Sequence, residues 1–128
     1  MMRYLLDTHT LLWWLGDMPE LGAQSRATIS NGDCLIFVSA ATAWEIEIKR
    51  AIGKLDAPMD LKQAIEGNQF IPLSMSVEHA IVAGRLPAHH NDPFDRMLIA
   101  QAAFEDLCVI TCDPAFPSYD VRTMNAKA

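Results

Sequence analysis

The stretch "DPFDRMLIAQAAFEDLCVITCD", residues 92–113, decides the class of fold. It opens on an Asp-Pro pair followed by an amphipathic run, which predicts a helix over residues 93–106. Asp92 suits the N-cap and Pro93 the first helical position. Asp95 falls in the first turn, where the helix dipole favours a negative charge. "LCVITC" (107–112) then reads as a continuous apolar strand, buried on both faces. A helix leading straight into such a strand is half of a parallel crossover unit.

The same alternation runs through the rest of the chain. "MRYLL" (2–6) and "CLIFVS" (34–39) read as buried strands. "FIPLS" (70–74) reads as a strand that Pro72 confines to a sheet edge, and "YDVRTM" (119–124) as a final edge strand. Helices are expected over 8–16, 21–32, 40–54, 59–68 and 76–86. In the third of these, Ala40, Ala43, Trp44, Ile48 and Ile52 form an apolar stripe of the kind a helix buries. Strands alternating with helices specify an α/β layered fold with a mostly parallel sheet, and 128 residues suit a single domain, residues 1–128.

Composition excludes several classes. With 51% hydrophobic and 20% charged residues the chain is an ordinary globular one. No apolar run is long enough for a membrane span, and the N-terminal run, interrupted by Asp7 and His9, does not read as a signal peptide. A cytoplasmic location is the expectation. Cys34, Cys108 and Cys112 are odd in number and lack a C-x-x-C pair, so they are expected as buried free thiols rather than a disulfide or zinc site.

The acids are the informative residues. Asp7 follows the first strand and Asp113 follows "VITC", so both fall at the carboxyl edge of a parallel sheet, where ligands bind. Glu45 lies early in the helix after "CLIFVS", and Asp95 in the first turn of a helix that runs back to that edge. Each has a plain structural use as well: Asp7 can cap the next helix, Asp113 can cap a turn, and either Glu45 or Glu47 can point to solvent. Four carboxylates from distant positions on one edge are costly, since two of them about 4 Å apart repel by roughly 4 kcal/mol at an effective dielectric near 20. They take up protons or bind a cation. Mg²⁺ and Mn²⁺ are hard ions that accept such oxygens, and a bound cation activates water and neutralises phosphoryl charge.

The motifs "YLLDTHTLLWWL", "SAATAWEIEIK", "DPFDRMLIAQA" and "VITCD", in this order and spacing, resemble the PIN-domain family in its VapC-type toxin branch. The resemblance covers nearly the whole chain. It implies a three-layer α/β/α sandwich around a mostly parallel sheet. It also implies a Mg²⁺- or Mn²⁺-dependent ribonuclease, the toxin of a toxin–antitoxin pair, with Asp7, Glu45, Asp95 and Asp113 as catalytic metal-binding acids. Asp92 is read mainly as the cap, with a supporting role beside the metal-binding acids as the further expectation. Thr8, Ser39 and Thr111 lie near the site by motif position.

The net charge of −6 sits awkwardly with a nucleic-acid substrate. Metal would neutralise part of it, and Lys49 and Arg96 are the candidate RNA phosphate contacts, with Arg50, Lys54 and Arg85 also available. An antitoxin with a basic segment would find an acidic groove attractive, and a homodimer is the expected assembly. The tryptophans are read mostly as core, with part of the Leu11–Trp14 surface left for a partner. His89 and His90, just before the acidic motif, could approach substrate, with exposed loop residues as the main reading. Two other functions stay open: a slow or non-catalytic module that binds RNA or antitoxin, and a DNA-directed nuclease. "LLDTHT" also partly matches the D-x-D-x-T nucleophile motif of aspartyl-phosphate phosphatases, but His9 stands where the second Asp is needed.

Overall fold

The computed structural model describes residues 2–57 and 60–128. The elements are β1 (Arg3–Leu6), α1 (Thr8–Leu15), α2 (Ala23–Ser30), β2 (Leu35–Ser39), α3 (Ala40–Ala51), α4 (Leu61–Gly67), β3 (Ile71–Leu73), α5 (Val77–Arg85), α6 (Pro93–Glu105), β4 (Cys108–Thr111) and β5 (Thr123–Asn125). The five strands form one sheet in the order β3-β2-β1-β4-β5, and every pairing is parallel. Pro72 lies on the edge strand β3, as its missing amide requires. Met59, where the sequence reading begins the fourth helix, lies outside the described residues.

Side chains alternate across the sheet and build a core on each face. Leu6, Ile36, Val38 and Ile110 pack with Leu11 of α1, Ile29 of α2 and Leu61 and Ile65 of α4. Leu5 and Val109 turn the other way, onto Leu98, Ile99 and Ala102 of α6 and onto Phe116 and Tyr119. The molecule is therefore an α/β/α sandwich. All four residues of β4 are buried, which accounts for its unbroken apolar sequence. Asp106, in the left-handed region at φ 56°, closes α6 and turns the chain directly into β4. Gly22 is needed for a close approach: a Cβ there would lie 1.9 Å from the carbonyl oxygen of Ala128.

Two expectations are corrected. Of the stripe Ala40, Ala43, Trp44, Ile48 and Ile52, Ala43 packs against the core and the rest faces outward, with Trp44 57% and Ile52 60% exposed. The buried face is Ala41, Thr42, Glu45 and Ile46, because α3 sits across the carboxyl edge and contributes Ala41 to one core and Ile46 to the other. Trp44 is thus a surface residue, with its ring edge-on to Phe94 at 5.2 Å. The last strand is also shorter and later than 119–124. Residues Phe116–Ser118 form a 3-10 turn, and Tyr119 turns inward, donating its hydroxyl to the Pro87 carbonyl at 2.7 Å.

The cysteines are free thiols; Cys108 is buried, and Cys34 and Cys112 are half-buried. Among the described residues no helix is long and apolar enough to cross a membrane.

Candidate active site

The strand order reverses direction between β1 and β4, so helices leave their carboxyl ends on opposite faces and a crevice opens there. Leu6 is the register partner of Ile110, which sets Asp7 beside Thr111. Asp7 does two jobs with its two oxygens. Oδ1 accepts the amide of Thr10 at 2.9 Å and caps α1, while Oδ2 accepts the Thr111 hydroxyl at 2.5 Å. The carboxyl is almost fully buried, and burial pushes its pKa up despite the hydrogen bonds from Thr10 and Thr111.

Glu45 is likewise buried, and Glu47, two residues on, is exposed. The Thr8 hydroxyl donates to Glu45 Oε1 at 2.7 Å, and Lys49, one turn along α3, reaches Oε2 at 2.8 Å. That hydrogen bond holds the Lys49 ammonium above its ordinary pKa, with the charges of Asp92 and Asp95 adding to it. Ser39 caps α3 by accepting the amide of Ala41 at 3.0 Å.

Asp92 caps α6: its Oδ1 accepts the amides of Phe94 at 2.8 Å and Asp95 at 3.1 Å. This fixes Asp95 in the first turn, pointing at the crevice. Burial, then the neighbouring Asp92 charge, raise the Asp95 carboxyl to about 6, with His90 partly offsetting them and Glu45 adding to them. Asp113 follows β4. Its amide donates to Thr111 Oγ1 at 3.0 Å, and its Oδ1 accepts the amide of Ala115 at 2.9 Å.

His90 completes the cluster and is half-buried, not the exposed loop residue that its position mainly suggests. Its Nε2 lies 2.8 Å from Asp95 Oδ2 and 3.3 Å from Asp113 Oδ2. One atom from each of these three residues falls within 4.8 Å of the others. Asp7 and Glu45 stand outside that span and join through Thr111 and Thr8. The signal available in the sequence was position alone: His90 precedes the Asp92 cap by two residues, inside a short connection.

The two candidate phosphate contacts part company. Lys49 stands at the acids with its side chain 43% exposed. Arg96 points elsewhere: Nη1 donates to the carbonyls of Pro87 and His90, and Nη2 to those of Ala83 and Leu86, at 2.9–3.2 Å. It clamps the α5–α6 connection and so positions His90.

The donor chemistry fits a hard divalent cation. Asp7, raised in pKa by burial, and Asp95, raised by burial and by the charges of Asp92 and Glu45, gain from a cation, and Mg²⁺ and Mn²⁺ accept oxygen ligands of this kind.

Comparison with known proteins agrees with the fold. The chain resembles VapBC2 from Rickettsia felis, solved bound to a promoter DNA fragment, at 14% identity, with 97% of this chain and 98% of that chain covered and a TM-score of 0.68. It resembles DNA-bound VapBC from Salmonella typhimurium at 22% identity, with the same coverage and a TM-score of 0.69. VapBC-5 from Mycobacterium tuberculosis, of the VapBC family of toxin-antitoxin systems, matches at 19% identity over 97% of both chains, with a TM-score of 0.58. A search of curated protein sequences gave no match. The family model of the PIN domain matches residues 4–122, and the chain belongs to the PIN domain family.

Proposed function

We propose that this chain is a Mg²⁺- or Mn²⁺-dependent endoribonuclease and the toxin of a toxin–antitoxin pair, acting in the cytoplasm. The observation that carries the reading is the cluster at the β1/β4 crevice, where Asp95 and Asp113 converge beside a buried Asp7. A bound divalent cation supplies an activated water and neutralises charge on the scissile phosphate. Asp7, Glu45, Asp95 and Asp113 would hold it. Thr111 and Thr8 orient Asp7 and Glu45 through their hydroxyls. Lys49 stands ready for a phosphate oxygen at the rim of the site. No side-chain nucleophile is needed.

Membership of the PIN family and likeness to VapBC proteins support this reading. The surface supports the partner. Leu12, Trp13, Leu15, Met18 and Leu55 line a cleft of about 430 Å³ between α1 and the segment after α3, shaped for an amphipathic antitoxin segment. A basic tail on that segment suits a chain of charge −6. The flat stripe of Trp44, Ile48 and Ile52 suits a second copy in a homodimer.

The test is cleavage of an RNA pool, with a DNA pool in parallel, by protein freed of antitoxin. Mg²⁺ or Mn²⁺ should support RNA cleavage, and EDTA or Asp113→Asn should abolish it. Cleavage of DNA alone would turn the reading to a DNA nuclease. RNA binding without cleavage under any condition would turn it to a binding module.

A further inference from the structure

His90 lies where a hydrogen bond accounts for only half of what surrounds it. Its Nε2 faces two carboxylate oxygens, Asp95 Oδ2 at 2.8 Å and Asp113 Oδ2 at 3.3 Å. In any protonation state this nitrogen carries at most one hydrogen, so it satisfies one of the two well. The spacing has a second meaning. Two ligand atoms about 2.1 Å from one ion and at right angles to each other stand about 3.0 Å apart. The two observed distances bracket that value.

The ring is held there by its surroundings. The His90 carbonyl accepts Arg96 Nη1 at 3.2 Å, and the ring lies edge-on to the buried Phe116 at 6.5 Å. The preceding amide, of His89, donates to the Tyr119 hydroxyl at 3.1 Å. The other ring nitrogen, Nδ1, accepts the Asp92 amide at 3.5 Å, a long contact released at little cost when the proton moves from Nε2 to Nδ1. Imidazole is also the borderline donor in a set otherwise made of hard oxygens. Nitrogen ligands favour later transition ions over Mg²⁺, which keeps to oxygen and water.

We propose that His90 is a nitrogen ligand of the metal centre, placed between Asp95 and Asp113, and that it makes the site prefer Mn²⁺ to Mg²⁺. The inference rests on the metal-dependent reading of the same site. It gives the connection before α6 a chemical role and gives Arg96 a positioning role, since that guanidinium sets the backbone that carries the ring.

The experiment is metal binding without RNA. Mn²⁺ and Mg²⁺ are titrated calorimetrically into wild type, His90→Gln and His90→Ala, with circular dichroism to confirm each fold. Gln keeps a donor at the Nε2 position but offers no imidazole. The bound Mn²⁺ is also examined by electron spin echo for coupling to ¹⁴N. Wild type should show imidazole coupling, and both variants should lose it together with about 10- to 100-fold in Mn²⁺ affinity. Mg²⁺ affinity should fall by less than about 3-fold. Tighter Mn²⁺ binding in His90→Ala would overturn the inference and make the ring a plug that metal displaces. Coupling absent in wild type would overturn it as well, even where Mn²⁺-dependent RNA cleavage stands. Coupling present without RNA cleavage would support the ligand and overturn the ribonuclease. Failure of wild type to bind either ion would overturn both.

Discussion

Replacing Asp95 by Asn should stabilise the metal-free protein while abolishing its activity. The Asp95 carboxyl is raised from an ordinary 3.8 to about 6, so the folded chain holds a proton that the unfolded chain releases. Carrying the ionised form in the fold therefore costs about 2–3 kcal/mol at neutral pH once solvent screening of this partly exposed carboxyl is allowed for. Asn removes that penalty and gives up the charge-assisted part of the bond to His90, about 1 kcal/mol. The net gain is about 1–2 kcal/mol, or about 4–8 °C in Tm for a chain of this length. The sign is set by pH. Below about 4 both folded and unfolded carboxyls are protonated and the substitution gains nothing. The gain grows between about 4 and 6 and is complete above 6. The assay is thermal unfolding in EDTA at pH 4, 6 and 8, repeated with Mn²⁺, which should raise Tm of wild type and leave the variant unmoved. Equal shifts at pH 4 and pH 8, or destabilisation at pH 8, would refute the electrostatic account of the site.

Thr8→Val leaves Glu45 Oε1 without the hydroxyl that donates to it, and should destabilise by about 1–3 kcal/mol in urea unfolding while slowing cleavage. Arg96→Lys removes the four-carbonyl clamp and should destabilise by about 2–3 kcal/mol, but the salt dependence of RNA binding should stay as in wild type. Lys49→Gln should lower the salt slope of RNA binding by about 1 and, because it also takes the cation from the buried Glu45, destabilise by about 1–3 kcal/mol. Trp44→Asp on the exposed stripe should alter stability by less than about 0.5 kcal/mol yet yield a monomer in sedimentation.

The sheet was readable because its central strands are buried on both faces: "YLL" and "LCVIT" can hardly be anything else, and Asp92-Pro93 marks the start of α6 without ambiguity. The positions of Asp7, Asp95 and Asp113 follow from strand ends and a first turn, which local sequence specifies. What escaped depends on neighbours distant in sequence. The stripe Trp44, Ile48 and Ile52 has the period of a buried face, and only the placement of α3 across the sheet edge turns Glu45 and Ile46 inward instead. A periodic apolar stripe looks the same whether it meets the core or another molecule. His90 and Arg96 sit in or next to a short connection with no periodicity, and their roles come from where the carbonyls and carboxylates around them fall. The end of the chain was misread because "YDVRTM" alternates like a strand while Tyr119 is drawn inward by the Pro87 carbonyl.

The bond between Thr111 and Asp7 joins residues 104 positions apart. A ribosome making this chain releases Asp7 early, together with β1, α1 and β2, but that carboxylate finds its hydroxyl only after β4 has emerged and inserted beside β1. Parallel pairing of such distant segments is slow to form, because the intervening loop must close before any contact compensates for it. A chain halted anywhere before β4 lacks Thr111 and Asp113 and has no crevice at all. Assembly of the site therefore waits on β4, and that delay between synthesis and competence is written into the strand order itself.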